Sequence, residues 1–512
     1  MQLTSTFFQP LVAAALLCLL QGGAAAGAPA AAQVPGPAAI KAARHAVTTY
    51  RKDVVDSLAA MVSFNTVADK DVPFESNPQH LGFKKYLKDH AARLGLDYAD
   101  HGYIVIIGLG AASERVGIIT HGDIQPVDPT KWKKSPFVLD RTSEPGRLIG
   151  RGTEDDKGPI ATAMYAMKAI KDQKIALSKR LELYVYMAEE SDWTPLSEFL
   201  KTHVPPQINI TIDAEYPVVT AEKGYGSIRF TVPRLPLPDS GAYISEFGGG
   251  FFGSQIPEDA RAVLANVPAP LEAAIRRRAA AQAGMRYTFT PQGSGHLRIE
   301  ARGISAHSSK PQDGLNAVSM LAAALDVQPW PATTAATLVT FLNDMIGTGI
   351  HAEKFGGVAY RDPFMGPMTL APTVIKDHPD GTELTINLRR PRGKSNAEVE
   401  AQLRAALAAW QQRRAVALDK LALYISEPWV QASAPQVPTL LSVFSHYTGV
   451  RNPQPVSVGG GTNSRLFPSA VSFGPAMPGK VYTGHSEHEF ITMRQLLLNL
   501  QMYTAALVEL AK

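Results

Sequence analysis

Cysteine is almost missing from this chain. Among 512 residues there is one, Cys18, and it lies in the N-terminal apolar segment. Beyond that segment no disulfide, thiolate metal ligand or cysteine nucleophile is available, so any metal site must use His, Asp and Glu. Charge is also sparse. Charged residues make up 19% of the chain, against about 25% in ordinary soluble proteins. The formal net charge is only +4, and the basic residues are scattered apart from short clusters at Lys131, Lys133, Lys134 and at Arg276, Arg277, Arg278. Nucleic-acid binding needs a concentrated basic stripe, so no nucleic-acid partner is expected. No internal repeat is visible, and no apolar run reaches the roughly 20 residues of a membrane span.

The first 40 residues carry no charged side chain. Leu11 to Leu20 is a continuous apolar run, followed by small residues from Gly22 to Ala32. The apolar run and the small residues after it resemble a secretory signal peptide, though no Lys or Arg precedes the run; the resemblance predicts processing within residues 1–32, a secreted or periplasmic protein, and no stable membrane insertion afterwards. The remaining length allows about three structural units at roughly 150 residues each.

Helical spacing of apolar residues predicts helices at Ala39–Met61, His80–Leu94 (stopped by Gly95) and Gly158–Lys171. Between them stand short β-branched runs: Tyr103–Ile107, Val116–Thr120, Leu181–Met187 and Ile208–Ile212. Strands alternating with helices predict an α/β layer, a mixed, largely parallel sheet with helices on both faces. From about Gly226 the style changes. Pro- and Gly-rich stretches precede strand-like runs at Leu297–Ala301 and Glu383–Leu388 and helices at Gly314–Leu325 and Ala397–Arg413. This predicts an inserted α+β domain over residues 226–426, dividing an α/β domain into residues 38–225 and 427–512. The second part holds strands at Val456–Val458 and Val471–Phe473 and a closing helix at Thr492–Leu510.

Three predicted strands end in metal-type residues: His121-Gly122-Asp123, Glu189-Glu190 and Asp213. A glycine-bounded turn, Gly150 to Gly158, holds Asp155 and Asp156, and His485 follows the strand at Val471. Ligands of open α/β sheets bind beyond the carboxyl ends of the strands, where all of these fall. Adjacent buried carboxylates repel one another. Divalent cations remove that cost, and carboxylate and imidazole suit zinc first, with manganese or cobalt also possible.

These motifs resemble the M20 family of dinuclear metallopeptidases, and within it the PepV-like bacterial dipeptidase branch. The likeness covers nearly all of the chain after the N-terminal segment. It rests on His121-x-Asp123, Gly152-Thr153-x-Asp155-Asp156-Lys157-Gly158, Glu189-Glu190-Ser191, Asp213-Ala214-Glu215 and His485-x-x-x-Glu489. It implies that Asp155 bridges two divalent ions, that His121 and Asp213 complete one site, and that Glu190 and His485 complete the other. Glu189 would be the general base for a bridging water, and Asp123 would accept the second ring N–H of His121. The Asp155–Asp156 peptide is expected to be cis. The inserted domain would be a lid. Its Gly303-Ile304-Ser305-Ala306-His307 stretch would bring His307 to the oxyanion. Arg389, within Asn387-Leu388-Arg389-Arg390-Pro391, and the loop Gly459-Gly460-Gly461-Thr462 would hold the substrate carboxylate.

Two positions depart from the branch pattern: Ser254 stands where Asn is usual, before Gln255-Ile256-Pro257, and His488 where Asn is common. Ser254 retains a hydroxyl and stays a candidate substrate contact. The implied activity is hydrolysis of dipeptides or very short peptides. A lid of this length implies a monomer that supplies its own His307. An N-acyl-amino-acid amidohydrolase, a carboxypeptidase-like enzyme and a non-catalytic secreted binding protein on the same fold are the alternatives.

Overall fold

The computed structural model describes residues 34–293 and 295–512. The expected signal segment, residues 1–32, and Cys18 lie outside them. Among the described residues, no helix is long and apolar enough to cross a membrane.

The first sheet is built from residues on both sides of the insertion. Arg115–His121 sits at its centre and pairs in parallel with Arg180–Tyr186 on one side and Ile208–Thr211 on the other. Val471–Ser472 extends the parallel set beside Ile208–Thr211. The flanks are antiparallel: Ile104–Leu109 and Asp97–Asp100 at one edge, Val219–Glu222 and Trp429–Val430 at the other. The sheet is therefore mixed: besides the parallel middle, Val456–Val458 pairs in parallel with the flanking strand Val219–Glu222.

Strand residues are buried on both faces, as a central parallel sheet requires. Val105, Ile107, Leu183 and Val185 join a core with the helices Pro37–Val62, Lys157–Asp172 and Met493–Ala511. Ile104, Ile106, Tyr184 and Tyr186 face a smaller cluster that includes Leu196 of the helix Thr194–Thr202. Each wholly buried Leu, Ile or Val contributes about 1.5–3 kcal/mol, so this double covering fixes the strand ends that carry the polar residues. The helix Pro78–Leu94 starts at Asn77, whose side chain accepts the Gln79 N–H, and stops at Gly95 with φ 68°.

Residues between Gly224 and Ile425 form a second, antiparallel sheet of eight strands. Its strands alternate. Leu297, Ile299 and Ala301 are buried, whereas Glu300 and Arg302 are exposed. The apolar face packs on the helices Ala269–Ala280, Ala317–Ala324, Thr334–Phe341 and Asn396–Arg414. The last of these opens with a capping box between Ser395 and Glu398. A short ladder, Gln255–Ile256 with Ala306–His307, projects His307 toward the first domain.

Candidate active site

The strand Arg115–His121 ends with His121 itself, 1% exposed. Its Nε2 lies 2.9 Å from Oδ1 of Asp155 and 3.7 Å from Oδ1 of Asp213. On the other side, Nε2 of His485 lies 2.8 Å from Oε1 of Glu190 and 3.2 Å from Oδ2 of Asp155. The two Asp155 oxygens thus point to different histidines. Within each group, His121–Asp155–Asp213 and Asp155–Glu190–His485, the ligand atoms lie within 4.8 Å of one another. Each ring nitrogen faces two carboxylates, the arrangement of donors that share a cation. The resemblance implied this set of five, and the structure brings all five together around Asp155.

The electrostatics fit the same donor set. Burial pushes the Asp213 carboxyl up to about 7, helped by Asp155 and Glu190 and opposed by His121. Burial also drives Glu189 well above the usual carboxylate range, followed by the nearby charges of Asp213, Glu190 and Asp123. Burial works against a charged His485, but Glu190 and Asp155 raise it to about 10. Carboxylates crowded and buried in this way are costly without a cation to neutralise them. Oε1 of Glu189 is buried with no hydrogen-bond partner among the described residues, and its carboxylate lines the same pocket as Asp155, Glu190, Asp213, His307 and His485. Divalent cations fit these residues. The peptide between Asp155 and Asp156 is cis, as the resemblance implied.

Asp123 meets the second ring nitrogen of His121 mainly through its carbonyl oxygen. Nδ1 of His121 lies 3.0 Å from the Asp123 carbonyl oxygen and 3.5 Å from its carboxylate. The carboxylate oxygens instead accept the peptide N–H groups of Glu189 and Glu190, each at 3.0 Å. Asp123 therefore aligns the Glu189–Glu190 turn as well as the His121 ring.

From the second domain, His307 reaches the pocket. The Ser309 N–H donates to its Nδ1 at 3.0 Å, so the neutral ring carries its proton on Nε2. Burial holds its pKa well below the ordinary value, with the charges of His485 and Arg389 acting the same way. Arg389 is buried and forms no ion pair among the described residues. Its guanidinium donates to Asn387 Oδ1 at 3.1 Å and Ser308 Oγ at 3.3 Å, and burial lowers its pKa to about 10. Gly460, Gly461 and Thr462 line the pocket. A Cβ on Gly459 would come within 2.5 Å of the Ser309 carbonyl oxygen, so only glycine allows the loop to approach the lid so closely. Ser254 is not among the lining residues. Its carbonyl oxygen accepts the Ser308 N–H at 2.8 Å and faces His485. His488 is paired with Glu144 at 3.1 Å, outside the cluster.

Several positioning groups were not read from the sequence. Glu489, quoted only as part of a motif, accepts the N–H groups of Gly152, Glu154 and Asp155 at 3.0, 2.8 and 3.1 Å and a 2.9 Å contact from Arg151. It holds the turn that presents Asp155. Buried Glu222 accepts the Thr462 N–H and hydroxyl at 3.1 and 2.6 Å, fixing the glycine loop. Tyr482 donates to Asp155 Oδ2 at 2.7 Å, and Lys310 of the lid pairs with Glu215 at 2.7 Å.

Residues 117–509 match the model of peptidase family M20/M25/M40. The chain is 28% identical over 476 residues to a beta-Ala-Xaa dipeptidase of Lactobacillus delbrueckii subsp. lactis, covering 90% of this chain and 97% of that protein. It is 29% identical over 479 residues to the putative dipeptidase YtjP of Bacillus subtilis, covering 90% and 98%. Human carnosine dipeptidase 1 shares the fold, with a TM-score of 0.59 at 16% identity over 93% of this chain and 99% of that one. A di-peptidase of Saccharomyces cerevisiae does so with a TM-score of 0.57 at 12% identity over 92% and 98%. The family match spans most of the chain, and the chain belongs to peptidase family M20/M25/M40 as a metallopeptidase.

Proposed function

We propose that this metallopeptidase hydrolyses dipeptides and very short peptides with two divalent ions, zinc foremost, held by His121, Asp155, Glu190, Asp213 and His485. The observation that carries the reading is the Asp155 carboxylate, whose two oxygens face two separate His–carboxylate groups. When bound, the ions supply an acidified water and an electrophile for the scissile carbonyl. Glu189 takes the proton of the attacking water and returns it to the leaving amine, a role suited to a buried carboxylate of raised pKa. The Nε2–H of His307 donates to the developing oxyanion; burial keeps the ring neutral and its proton fixed there. Arg389 is the cation for the C-terminal carboxylate, and the N–H groups of Gly460 and Gly461 add donors. Thr462 shapes the loop through Glu222. Ser254 acts through its backbone rather than as a side-chain contact. The relatives named as dipeptidases support the short-substrate reading.

The protein acts as a monomer in this reading, because His307 comes from the same chain's lid. It is exported to a secreted or periplasmic location, a reading that rests on the apolar run Leu11–Leu20 and the small residues Gly22–Ala32 after it. The testing experiment is a panel of free and N-acetylated dipeptides assayed with metal-loaded and metal-stripped protein. Free dipeptides are expected to be cleaved only by loaded protein. Glu189→Gln is expected to lower kcat by about 10²–10⁴-fold without changing metal content. Turnover of N-acetylated substrates alone, or near-normal turnover by Glu189→Gln, contradicts the proposal.

A further inference from the structure

The two histidines facing Asp155 differ in where their outer contacts come from. The His121 ring is held within its own domain, by Asp123. The His485 ring is held by the lid. Its Nδ1 faces the Ser254 carbonyl oxygen at 3.3 Å. The neighbouring Gln255, 1% exposed, donates from Nε2 to the His485 carbonyl oxygen at 2.8 Å and to Oε1 of Glu487 at 3.4 Å. Ser305 Oγ, also from the lid, accepts the Glu487 N–H at 3.2 Å. On its other side, Oε2 of Glu487 accepts the Trp132 indole N–H at 3.1 Å and the Asp128 N–H at 3.2 Å. His485 has φ 66°, in the left-handed region that a residue with a side chain occupies only when its surroundings hold it there. Gln255 is the group that grips this peptide. It also pairs with His307 across the short ladder, and the His307 ring centroid lies 4.3 Å from that of His485. One unit of the lid thus delivers His307 to the pocket and clamps His485.

We infer that the lid supplies the contacts that hold the His485 ligand of the metal centre, whereas Glu190 is held by Gln125 and Asp123 of the first domain, so that metal affinity on the His485 side is coupled to lid closure more than on the His121 side, with Gln255 as the positioning residue. Partners that orient a ligating histidine typically change metal affinity about 10–100-fold when lost. Linkage makes the coupling reciprocal: occupancy of the His485 side favours the closed lid by the same factor. The inference rests on the metal-centre reading above.

The experiment titrates metal-free full-length protein with zinc against a competing chelator, for the unaltered chain and for Gln255→Ala. The unaltered chain is expected to take two equivalents. Gln255→Ala is expected to bind one of them with unchanged affinity and the other about 10–100-fold more weakly. The unchanged equivalent also reports that the fold is intact. In parallel, amide hydrogen exchange of the unaltered chain around Gln255 and Ser305 is expected to slow as the second equivalent binds, and this measurement decides the matter if the variant does not fold. Equal weakening of both equivalents, wild-type affinity for both, or exchange that ignores the second equivalent overturns the coupling alone. A chain that takes up no zinc overturns the metal-centre reading, and the coupling with it.

Discussion

At the scale of single residues, the chemistry depends on groups kept in one protonation state by their surroundings. Arg389 shows this most simply. A buried guanidinium with no carboxylate partner among the described residues keeps the desolvation cost of its charge unless a ligand anion meets it. Arg389→Ala is therefore expected to lower kcat/KM about 10–100-fold for a dipeptide with a free carboxylate. The same dipeptide with its carboxylate amidated should be affected far less. Steady-state kinetics on the two substrates check this; an equal loss on both would mean that Arg389 only supports the fold. The metal-type residues were legible because each follows a recognisable strand or a glycine-bounded turn. The partners that hold them were not. Glu489 acts on a turn 334 residues earlier in the chain and Gln255 on a loop 230 residues later, and no local pattern reports such a pairing. The split role of Asp123, carbonyl to His121 and carboxylate to the next strand's turn, depends on loop backbone geometry that residue types do not encode.

At the scale of elements, packing between helices sets a pH limit on stability. His90 lies on the helix Pro78–Leu94, 5% exposed, with Nε2 3.1 Å from Ser57 Oγ on the helix Pro37–Val62. Burial, with Arg93 adding to it, holds its pKa down to about 4. The unfolded value is about 6.5, so the fold accepts the neutral ring. Its contribution is complete above pH 6.5 and is lost as pH falls toward 4, on the order of 2–3 kcal/mol in total. His90→Gln is expected to flatten that part of the profile, read from urea unfolding at pH 7 and pH 4.5; identical slopes for the two proteins would contradict the assignment. Helices and strands with clear periodicity, such as Pro37–Val62 and Arg180–Tyr186, were anticipated to within a few residues. The strand Thr369–His378 was not. It contains Pro372, which interrupts a strand pattern, and the ladder tolerates it at a register shift between Pro372 and Val374. The helices Thr334–Phe341 and Val437–Thr448 are short and rich in Thr, Ser and Val, types that favour other conformations and are helical here through tertiary packing.

At the scale of the whole molecule, the first domain supplies the metal-type cluster and the inserted domain reaches it through the short ladder that carries His307, so the chain must cross between the two to complete the site. The α/β character and the insertion were readable from the change in patterning near Gly226. The antiparallel flanks of the first sheet were not, because strand direction follows from connectivity rather than composition. The central proposal is that Asp155 joins two cation positions. Crystals grown with zinc and measured at its absorption edge test this most directly. The account predicts two anomalous peaks about 3.5–4 Å apart, one on each side of the Asp155 carboxylate, with His121 and Asp213 around one and Glu190 and His485 around the other. A single peak, or peaks away from these side chains, would contradict it.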